Sequence, residues 1–251
     1  MPDSPSEPST PAQRITNRLL AALASRDLRR VEDALSPECT WQNVPHPTVG
    51  GRDAVMALLA PIVTWSDRVQ WDVLSSAYDG STAWLERADR FWIDGVEHTV
   101  LCNGVFEVDA EEGTVRSVRD YVDLGEWRAR VGPALEVMAR RSADEVIVRH
   151  LAAVVARDPV AMAADYAFDA TLERGDDKFQ GWRAIADYFD NVPSRLDGLH
   201  FSYQRSGREP TTVRWEITDD TNAVVARGTD RYVVESGRII EQTVELHTSD
   251  F

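Results

Sequence analysis

The sequence predicts an α+β protein made of two tandem copies of one unit, each a curved antiparallel sheet with about three helices. An internal repeat supports this prediction, as does the order of helices followed by strands in each copy. Three pairs of segments recur in the same order, at offsets that fall from 131 to 124 residues. The pairs are AALASRD at 21–27 with AAVVARD at 152–158, GRDAVMALL at 51–59 with GWRAIADYF at 181–189, and the turns that begin at Gly113 and Gly237. This order indicates a duplication with deletions in the second copy.

The first copy begins with helical spacing of apolar residues at Ile15, Leu19 and Leu23. Further helices are expected at 28–35 and 54–62, the last with Asp53 as its N-cap, and an extended segment around Trp41 lies between them. Turns with Asp-Gly or Glu-Gly pairs then separate predicted strands at 69–78, 82–92, 98–108 and 115–124. Helices followed by a meander predict helices packed on one face of a sheet.

The second copy repeats this order. Helices are expected within 143–166 and at 184–189, and strands at 199–206, 211–218, 223–234 and 238–247. The predicted organisation is therefore a disordered Pro- and Ser-rich tail at 1–11, a first domain at 12–130 and a second domain at 142–251. The boundary is expected near Gly132 and Pro133.

The composition excludes several classes of function. The 251 residues include 27 Lys and Arg against 42 Asp and Glu, which gives a net charge of −15. Such a field repels nucleic acids and anionic membranes, so neither is an expected partner. No apolar run is long enough for a membrane span, and residues 1–11 contain no apolar segment of a signal peptide. Cys39 and Cys102 are expected to be buried free thiols of a cytoplasmic protein, and the five histidines show no metal-ligand spacing.

Five motifs of the first copy carry a family resemblance. They are Trp41-Gln42-Asn43, Gly51-Arg52-Asp53-Ala54, the segment ERADRF at 86–91, the segment GVFEV at 104–108 and the segment RDYVDL at 119–124. In this order and spacing they resemble the limonene-1,2-epoxide hydrolase family, over about residues 12–128. The predicted architecture is that of nuclear transport factor 2-like cones. The second half resembles only the general nuclear transport factor 2-like and polyketide-cyclase superfamily.

Strand alternation predicts which of these side chains share a pocket, because alternate residues of a strand point to the same face. The residues expected on the concave face are Trp41 with Asn43, Leu85 with Arg87, Asp89 and Phe91, and Val118 with Asp120 and Val122. We expect Leu85, Phe91, Val118 and Val122 to contact the substrate. Apolar walls with a few convergent polar groups are typical of a small-molecule site.

The family resemblance implies a role for each polar residue of this set. Asp120 would be the base that takes a proton from water, Asp89 the acid that protonates the epoxide oxygen, and Arg87 the bridge between them. Asn43 would hold the water with the residue at position 41, which is typically Tyr in the family. Trp41 can donate a hydrogen bond but cannot accept one. The implied activity is one-step hydrolysis of a small lipophilic epoxide, with no cofactor, no metal and no covalent intermediate.

Three alternatives remain open at this stage. An epoxide-opening cyclase of polyketide biosynthesis would use the same acid and base on a substrate with its own hydroxyl, giving a cyclic ether. A ketosteroid-isomerase-like or aldol cyclase is disfavoured by Arg87 between two carboxylates. A ligand-binding scaffold is disfavoured for the first half by its five-residue site and favoured for the second half.

The second copy is expected to lack this site. The nearest register aligns Ile217 with Arg87, Val244 with Asp120, Asp219 with Asp89, and Leu172 and Arg174 with Trp41 and Asn43. Glu173, Glu216 and Asp230 remain as carboxylates, but their spacing does not argue for a site. We therefore expect a catalytically silent second domain that forms an intramolecular pseudo-dimer with the first. A further homodimer is left open.

Overall fold

The computed structural model describes residues 10–205 and 211–248 and divides the chain between Leu135 and Glu136 into two units. The N-terminal unit contains helices α1 (Pro11–Ser25), α2 (Leu28–Ala34), α3 (Arg52–Trp65) and α4 (Leu124–Arg130). Its strands are β1 (Leu35–Asn43), β2 (Val49–Gly50), β3 (Arg68–Asp79), β4 (Thr82–Ile93), β5 (Val96–Asp109) and β6 (Thr114–Val122). Helix α5 (Gly132–Ala139) crosses the division.

The C-terminal unit repeats the arrangement with its own helices and sheet. Its helices are α6 (Ala143–Ala156), α7 (Pro159–Ala164), α8 (Trp182–Phe189) and α9 (Val192–Arg195). Its strands are β7 (Tyr166–Arg174), β8 (Asp177–Gln180), β9 (His200–Arg205), β10 (Thr212–Thr218), β11 (Val224–Glu235) and β12 (Arg238–Leu246). The predicted α+β class with two tandem units is confirmed.

Both sheets have the same strand topology. The orders are β2-β1-β6-β5-β4-β3 and β8-β7-β12-β11-β10-β9. The expectation of a purely antiparallel sheet is wrong at one position in each, because β1 pairs with β6 and β7 with β12 in parallel. A hairpin turn fixes the direction of consecutive strands only, and β1 is separated from β6 by a helix and four other strands. This pairing places β1 beside β6 and so brings Asn43 next to Asp120.

The helices cover one face of each sheet. In α1 the residues predicted from helical spacing, Ile15, Leu19 and Leu23, are all buried, and the helix contacts strands β3 to β6. Helix α3 begins at Arg52, two residues earlier than the predicted N-cap Asp53 allows. Its N-cap is Gly51 at a φ of 87°, and Asp53 lies in the first turn, where a negative charge is favourable near the helix N-terminus.

The N-terminal tail lies largely outside the described residues, which begin at Thr10. Thr10 caps α1 with its side chain, and Pro11 is the first residue of the helix, a position that proline favours. The predicted tail of 1–11 therefore extends too far at its C-terminal end. Cys39 and Cys102 are both buried and free. In the described part of the chain, no helix combines the length and apolarity that crossing a bilayer requires.

Candidate active site

Three charged side chains meet on the covered face of the N-terminal sheet. Arg87 lies on β4 and Asp120 on β6, with β5 between them, and Asp89 follows Arg87 on the same face. The Arg87 Nε and Nη2 atoms lie 3.0 and 3.1 Å from the two oxygens of Asp89. Nη2 also donates to Asp120 Oδ1 over 2.9 Å. The guanidinium, which is 0% exposed, therefore bridges two carboxylates that are each 5% exposed.

A glycine makes room for this bridge. Gly104 on β5 pairs with Asp120, and a Cβ atom at this position would collide with Arg87 Nη1 and lie 2.7 Å from Asp120 Oδ1. The ring of Phe106 packs against the guanidinium at 5.2 Å, and Cys102 Sγ lies 3.3 Å from Nη2. Burial raises the pKa of the Cys102 thiol, so this sulfur stays neutral. Gly104, Phe106 and Cys102 were not predicted as site residues.

Burial and charge shift the pKa values of Asp89 and Arg87. Desolvation raises the pKa of Asp89 to about 6, although the charge and hydrogen bonds of Arg87 oppose this rise. The negative charge of Asp120 adds to the increase. For Arg87, burial lowers the pKa, but the charges of Asp120 and Asp89 outweigh it and raise the net pKa above its usual value. Asp89 can therefore hold a proton near neutral pH while the guanidinium stays charged.

Trp41 and Asn43 form a hydrogen-bonded pair at the end of β1. The Trp41 indole Nε1 donates to Asn43 Oδ1 over 3.3 Å, which leaves Nδ2 as the donor end of the amide. Asn43 is the register partner of Asp120 across the parallel pair of strands. Trp41 therefore orients the amide of Asn43, and Asn43 lies beside the carboxylate of Asp120.

A cavity of about 410 Å³ opens over these residues. It is lined by Trp41, Asn43, Asp89, Phe91, Asp120 and Val122 of the predicted set. Leu85 and Val118 were expected in the lining but are absent from it, since they are 2% and 1% exposed in the core. Arg87 is fully buried, and Leu85, two residues earlier on β4, is buried as well. Strand alternation predicts the face of a side chain but not its depth.

Two helices supply lining residues that the sequence analysis missed. Leu58, Leu59, Pro61 and Ile62 of α3 and Leu124, Trp127 and Arg128 of α4 line the cavity. The strand predicted at 115–124 ends at Val122, and Asp123 then caps α4 by accepting from the backbone N–H groups of Gly125 and Glu126. The signal was present, because Asp followed three residues later by Glu is typical of a helix N-terminus.

Aromatic side chains extend the apolar wall. Phe91 makes edge-to-face contacts with Trp71 and Trp127, with ring centroids 5.8 and 5.7 Å apart. The three rings come from β3, β4 and α4 and all line the cavity. The site therefore combines a buried acidic pair with an aromatic wall suited to an apolar ligand.

Backbone register aligns the C-terminal unit with the N-terminal one. Asn43 pairs with Asp120, and Arg174 pairs with Val244 in the corresponding parallel ladder. The predicted match of Val244 with Asp120 is therefore confirmed. In the N-terminal unit, Gly104 of β5 pairs with Asp120. In the C-terminal unit, Asp230 of β11 pairs with Val244, so a carboxylate takes the place of the glycine.

The predicted matches on β10 are wrong by two residues. Arg87 pairs with Cys102, two residues before Gly104, and Trp215 pairs with Gly228, two residues before Asp230. Trp215 therefore occupies the position of Arg87. Ile217 occupies that of Asp89, and Asp219 lies beyond β10. A slip of two residues keeps every side chain on its face, so the alternation pattern could not detect it.

The fold and the site together define a nuclear transport factor 2-like cone with a pocket that contains two nearly buried carboxylates. Residues 10–130 match the family model of the limonene-1,2-epoxide hydrolase catalytic domain. Residues 147–242 match the model of the SnoaL-like domain. The N-terminal unit is thus similar to the limonene-1,2-epoxide hydrolase catalytic domain and the C-terminal unit to the SnoaL-like domain, and the predicted resemblance is confirmed. Both families include enzymes.

Two solved structures are similar to parts of this chain. An M. tuberculosis LEH-like epoxide hydrolase is 26% identical and aligns over 59% of this chain and 98% of its own, with a TM-score of 0.40. A putative SnoaL-like polyketide cyclase from Shewanella denitrificans is 8% identical over 49% of this chain and 97% of its own, with a TM-score of 0.43.

Proposed function

We propose that the N-terminal unit is an epoxide hydrolase that opens a lipophilic epoxide with a water molecule activated by Asp120. The observation that carries the proposal is the bridge of Arg87 between Asp89 and Asp120, with distances of 2.9–3.1 Å. Hydrolysis needs one carboxylate that accepts a proton and one carboxylic acid that gives a proton away. A single buried guanidinium between two carboxylates keeps them close and can stabilise the ionised member.

In the proposed step, Asp120 takes one proton from the water while the water oxygen attacks an epoxide carbon. The carbon–oxygen bond of the epoxide breaks, and Asp89 gives its proton to the leaving oxygen. The product is a diol that contains one solvent oxygen. Asp120 ends protonated and Asp89 ionised, so a proton returns from Asp120 to Asp89 through solvent before the next turnover. Asn43 Nδ2 holds the water oxygen beside Asp120.

The cavity supports a bulky, largely apolar substrate. Its volume of about 410 Å³ lies within the range of about 300–1,000 Å³ for sites that bind drug-sized ligands. The wall contains Trp71, Phe91 and Trp127 together with aliphatic residues of α3. Asp89 and Asp120 are the two carboxylates in the lining, so an epoxide oxygen directed at Asp89 leaves the remainder of the substrate against apolar surface.

One observation favours the epoxide-opening cyclase as a second candidate. Because the Trp41 indole donates to Asn43, it is not available to hold a free water molecule. A hydroxyl that belongs to the substrate is positioned by its own carbon chain and needs fewer holding groups. The same acid and base would then form a cyclic ether.

Product analysis in oxygen-18 water tests both candidates. A panel of simple epoxides and hydroxy-epoxides is incubated with the full chain, and the products and the protein are analysed by mass spectrometry. Hydrolysis gives a labelled diol, whereas cyclisation gives an unlabelled cyclic ether. Label in Asp89 or Asp120 after a single turnover would contradict general acid–base catalysis. A panel with no turnover of any epoxide would reject both candidates.

Amide variants identify the acid and the base. Asp120→Asn and Asp89→Asn should each lower turnover about 10²–10⁴-fold, the typical contribution of a positioned proton-transfer group. Glu107→Gln is the matched control, since Glu107 is an exposed carboxylate on the neighbouring strand that pairs with Arg119. Near-normal turnover in either aspartate variant, with an unchanged melting temperature, would refute the assigned mechanism.

A further inference from the structure

The opening of the N-terminal cavity differs in charge from its floor. Asp89 and Asp120 are nearly buried, so they lie at the floor. Three other lining residues are exposed and therefore lie at the opening. These are His46 of the loop after β1, Leu58 of α3 and Arg128 of α4. Among the described lining residues, the acidic side chains thus lie at the floor and the basic ones at the opening.

Arg128 has no partner for its charge. Among the residues that the structure describes, its side chain forms neither a hydrogen bond nor an ion pair. The sequence explains this, because the residues four positions before and after it are Leu124 and Gly132, neither of which is acidic. The other arginine near the end of the same helix, Arg130, pairs with Glu126 over 3.4 Å. The guanidinium of Arg128 is therefore available to a ligand.

The surface between the floor and the opening is apolar. Trp71, Phe91 and Trp127 form an aromatic wall, in which Phe91 contacts both indoles edge to face. Trp127 directly precedes Arg128, and both line the cavity, so the aromatic wall leads to the cation. A ligand that fills the cavity meets the carboxylates first, then apolar surface and then a positive charge at the solvent edge.

We propose that the substrate is an epoxide of an aliphatic carboxylic acid, and that Arg128 determines this specificity by pairing with the carboxylate at the opening. The epoxide lies at Asp89, and the hydrocarbon segment lies along the aromatic wall. The chemical step is the hydrolysis already described, and the carboxylate takes no part in it. The proposal rests on the proposed hydrolase function and names its substrate class.

The exposed position of Arg128 suits a charged substrate group. A carboxylate buried beside Asp120 would lose its hydration and meet a like charge, and both effects are unfavourable. At the opening it keeps contact with water and pairs with a guanidinium, whose planar donors match the two oxygens of a carboxylate. A neutral lipophilic epoxide would gain nothing from this arginine.

Matched pairs of substrates test the role of the charge. Terminal epoxy acids of seven, nine and eleven carbons are compared with their primary amides, which have nearly the same shape but are neutral. The full chain is assayed at pH 7, where the acids are ionised. At the best chain length kcat/KM should be about fivefold higher for the acid than for the amide, the upper range for an exposed ion pair. Raising the salt concentration from about 0.05 M to about 0.5 M should reduce this ratio, because salt screens exposed charges.

Variants of α4 assign the preference to one residue. Arg128→Gln should bring the ratio of kcat/KM for acid and amide close to one, and Arg128→Glu should invert it. Arg128→Lys keeps the charge and should keep a preference for the acid. Arg130→Gln is the matched control, since Arg130 is an exposed arginine of the same helix outside the cavity lining, and it should leave the ratio unchanged. Melting temperatures are measured for all four variants, and an exposed position such as 128 tolerates substitution.

Three results would overturn the proposal. Hydrolysis of the amides as fast as the acids at every chain length would exclude the substrate class and leave the hydrolase function standing. A preference for the acid that persists in a normally melting Arg128→Gln, or that is lost equally in Arg130→Gln, would exclude the role of Arg128. Absence of hydrolysis with acids, amides and simple epoxides alike would reject the hydrolase function and the substrate class with it.

Discussion

At Gly104 the missing side chain leaves the space that the Arg87 guanidinium occupies. Strand alternation alone was enough to predict that Arg87, Asp89 and Asp120 share one face. It could not predict Gly104, because the need for a glycine comes from the length of the Arg87 side chain on the preceding strand. Nor could it predict that Leu85 and Val118 lie too deep to line the cavity, since depth depends on how the cone closes.

We expect Gly104→Ala to lower kcat on a true epoxide substrate by about 10²-fold, because misplacement of a catalytic group by about 1 Å has an effect of this size. The added Cβ would displace Arg87 and lie 2.7 Å from Asp120 Oδ1. Gly50→Ala is the control, since a Cβ there meets nothing within 4 Å. Unchanged kcat in Gly104→Ala, measured alongside the melting temperature, would show that the position of Arg87 is not critical.

The raised pKa of Asp89 predicts the direction of the pH dependence. As the proposed acid, Asp89 must be protonated, and its pKa is about 6 because burial disfavours the charged form. The reactive fraction therefore falls as pH rises through this value. We expect kcat/KM to decrease about tenfold between pH 7 and pH 8, the slope of a single ionisation. A profile that stays flat or rises over this interval would exclude Asp89 as the acid.

At the scale of elements, the hairpins were the most predictable part of the fold. Turns with glycine after Asp79, Asp94 and Glu112 defined four strands whose bounds differ from the structure by no more than two residues. Pairings between strands distant in sequence were not predictable in the same way. The parallel pairing of β1 with β6 depends on packing of the whole sheet, and the register on β10 depends on which residue opposes Gly228.

Helix α4 closes one side of the cavity, and its start depends on Asp123. The Asp123 side chain accepts from the N–H groups of Gly125 and Glu126 over 2.8 and 3.1 Å. Asp123→Ala should destabilise the helix start by about 1 kcal/mol and loosen Trp127 against Phe91. We expect a several-fold rise in KM with kcat nearly unchanged.

Asp123→Ser restores a capping oxygen and should return KM to within twofold or so of the starting value, because serine is as good an N-cap as aspartate. Steady-state kinetics with a bulky epoxide and with a small one would separate two causes of a raised KM. Loss of the cavity wall formed by α4 should raise KM for the bulky epoxide only, whereas a general disturbance of the site should raise it for both. If KM for the bulky epoxide does not change, α4 does not bind the substrate.

At the scale of the whole molecule, one topology carries two different sets of polar residues. The N-terminal unit has Arg87 with two aspartates, and the C-terminal unit has Asp230 with Trp215, Tyr232 and Gln242. The prediction that the second copy lacks the hydrolase residues is supported by the observed register. From the spacing of its carboxylates we expected no polar site in the second copy, so the hydrogen-bonded Asp230 was missed. It was missed because Gly104, which stands at the corresponding position, was not recognised as part of the first site.

The two units should therefore respond independently to substitution. Glu173→Gln, Glu216→Gln and Asp230→Asn should each leave epoxide turnover within a few-fold, since sites with no shared partners are generally additive. Turnover and melting temperature are measured for each variant beside Asp120→Asn. An amide substitution in the C-terminal unit that abolishes turnover in a normally melting protein would mean that this unit takes part in the hydrolase reaction.

The exchange of Gly104 for Asp230 constrains how one site could have evolved from the other. An aspartate introduced opposite Asp120 while Arg87 remains would compete with the guanidinium for space and set two carboxylates against each other. An arginine in place of Trp215 would remove the indole donor from Asp230. We therefore expect a chain with only one of the two exchanges to bind its polar residues less well than either observed arrangement. After a duplication, one copy can accumulate both exchanges while the other copy retains its original site.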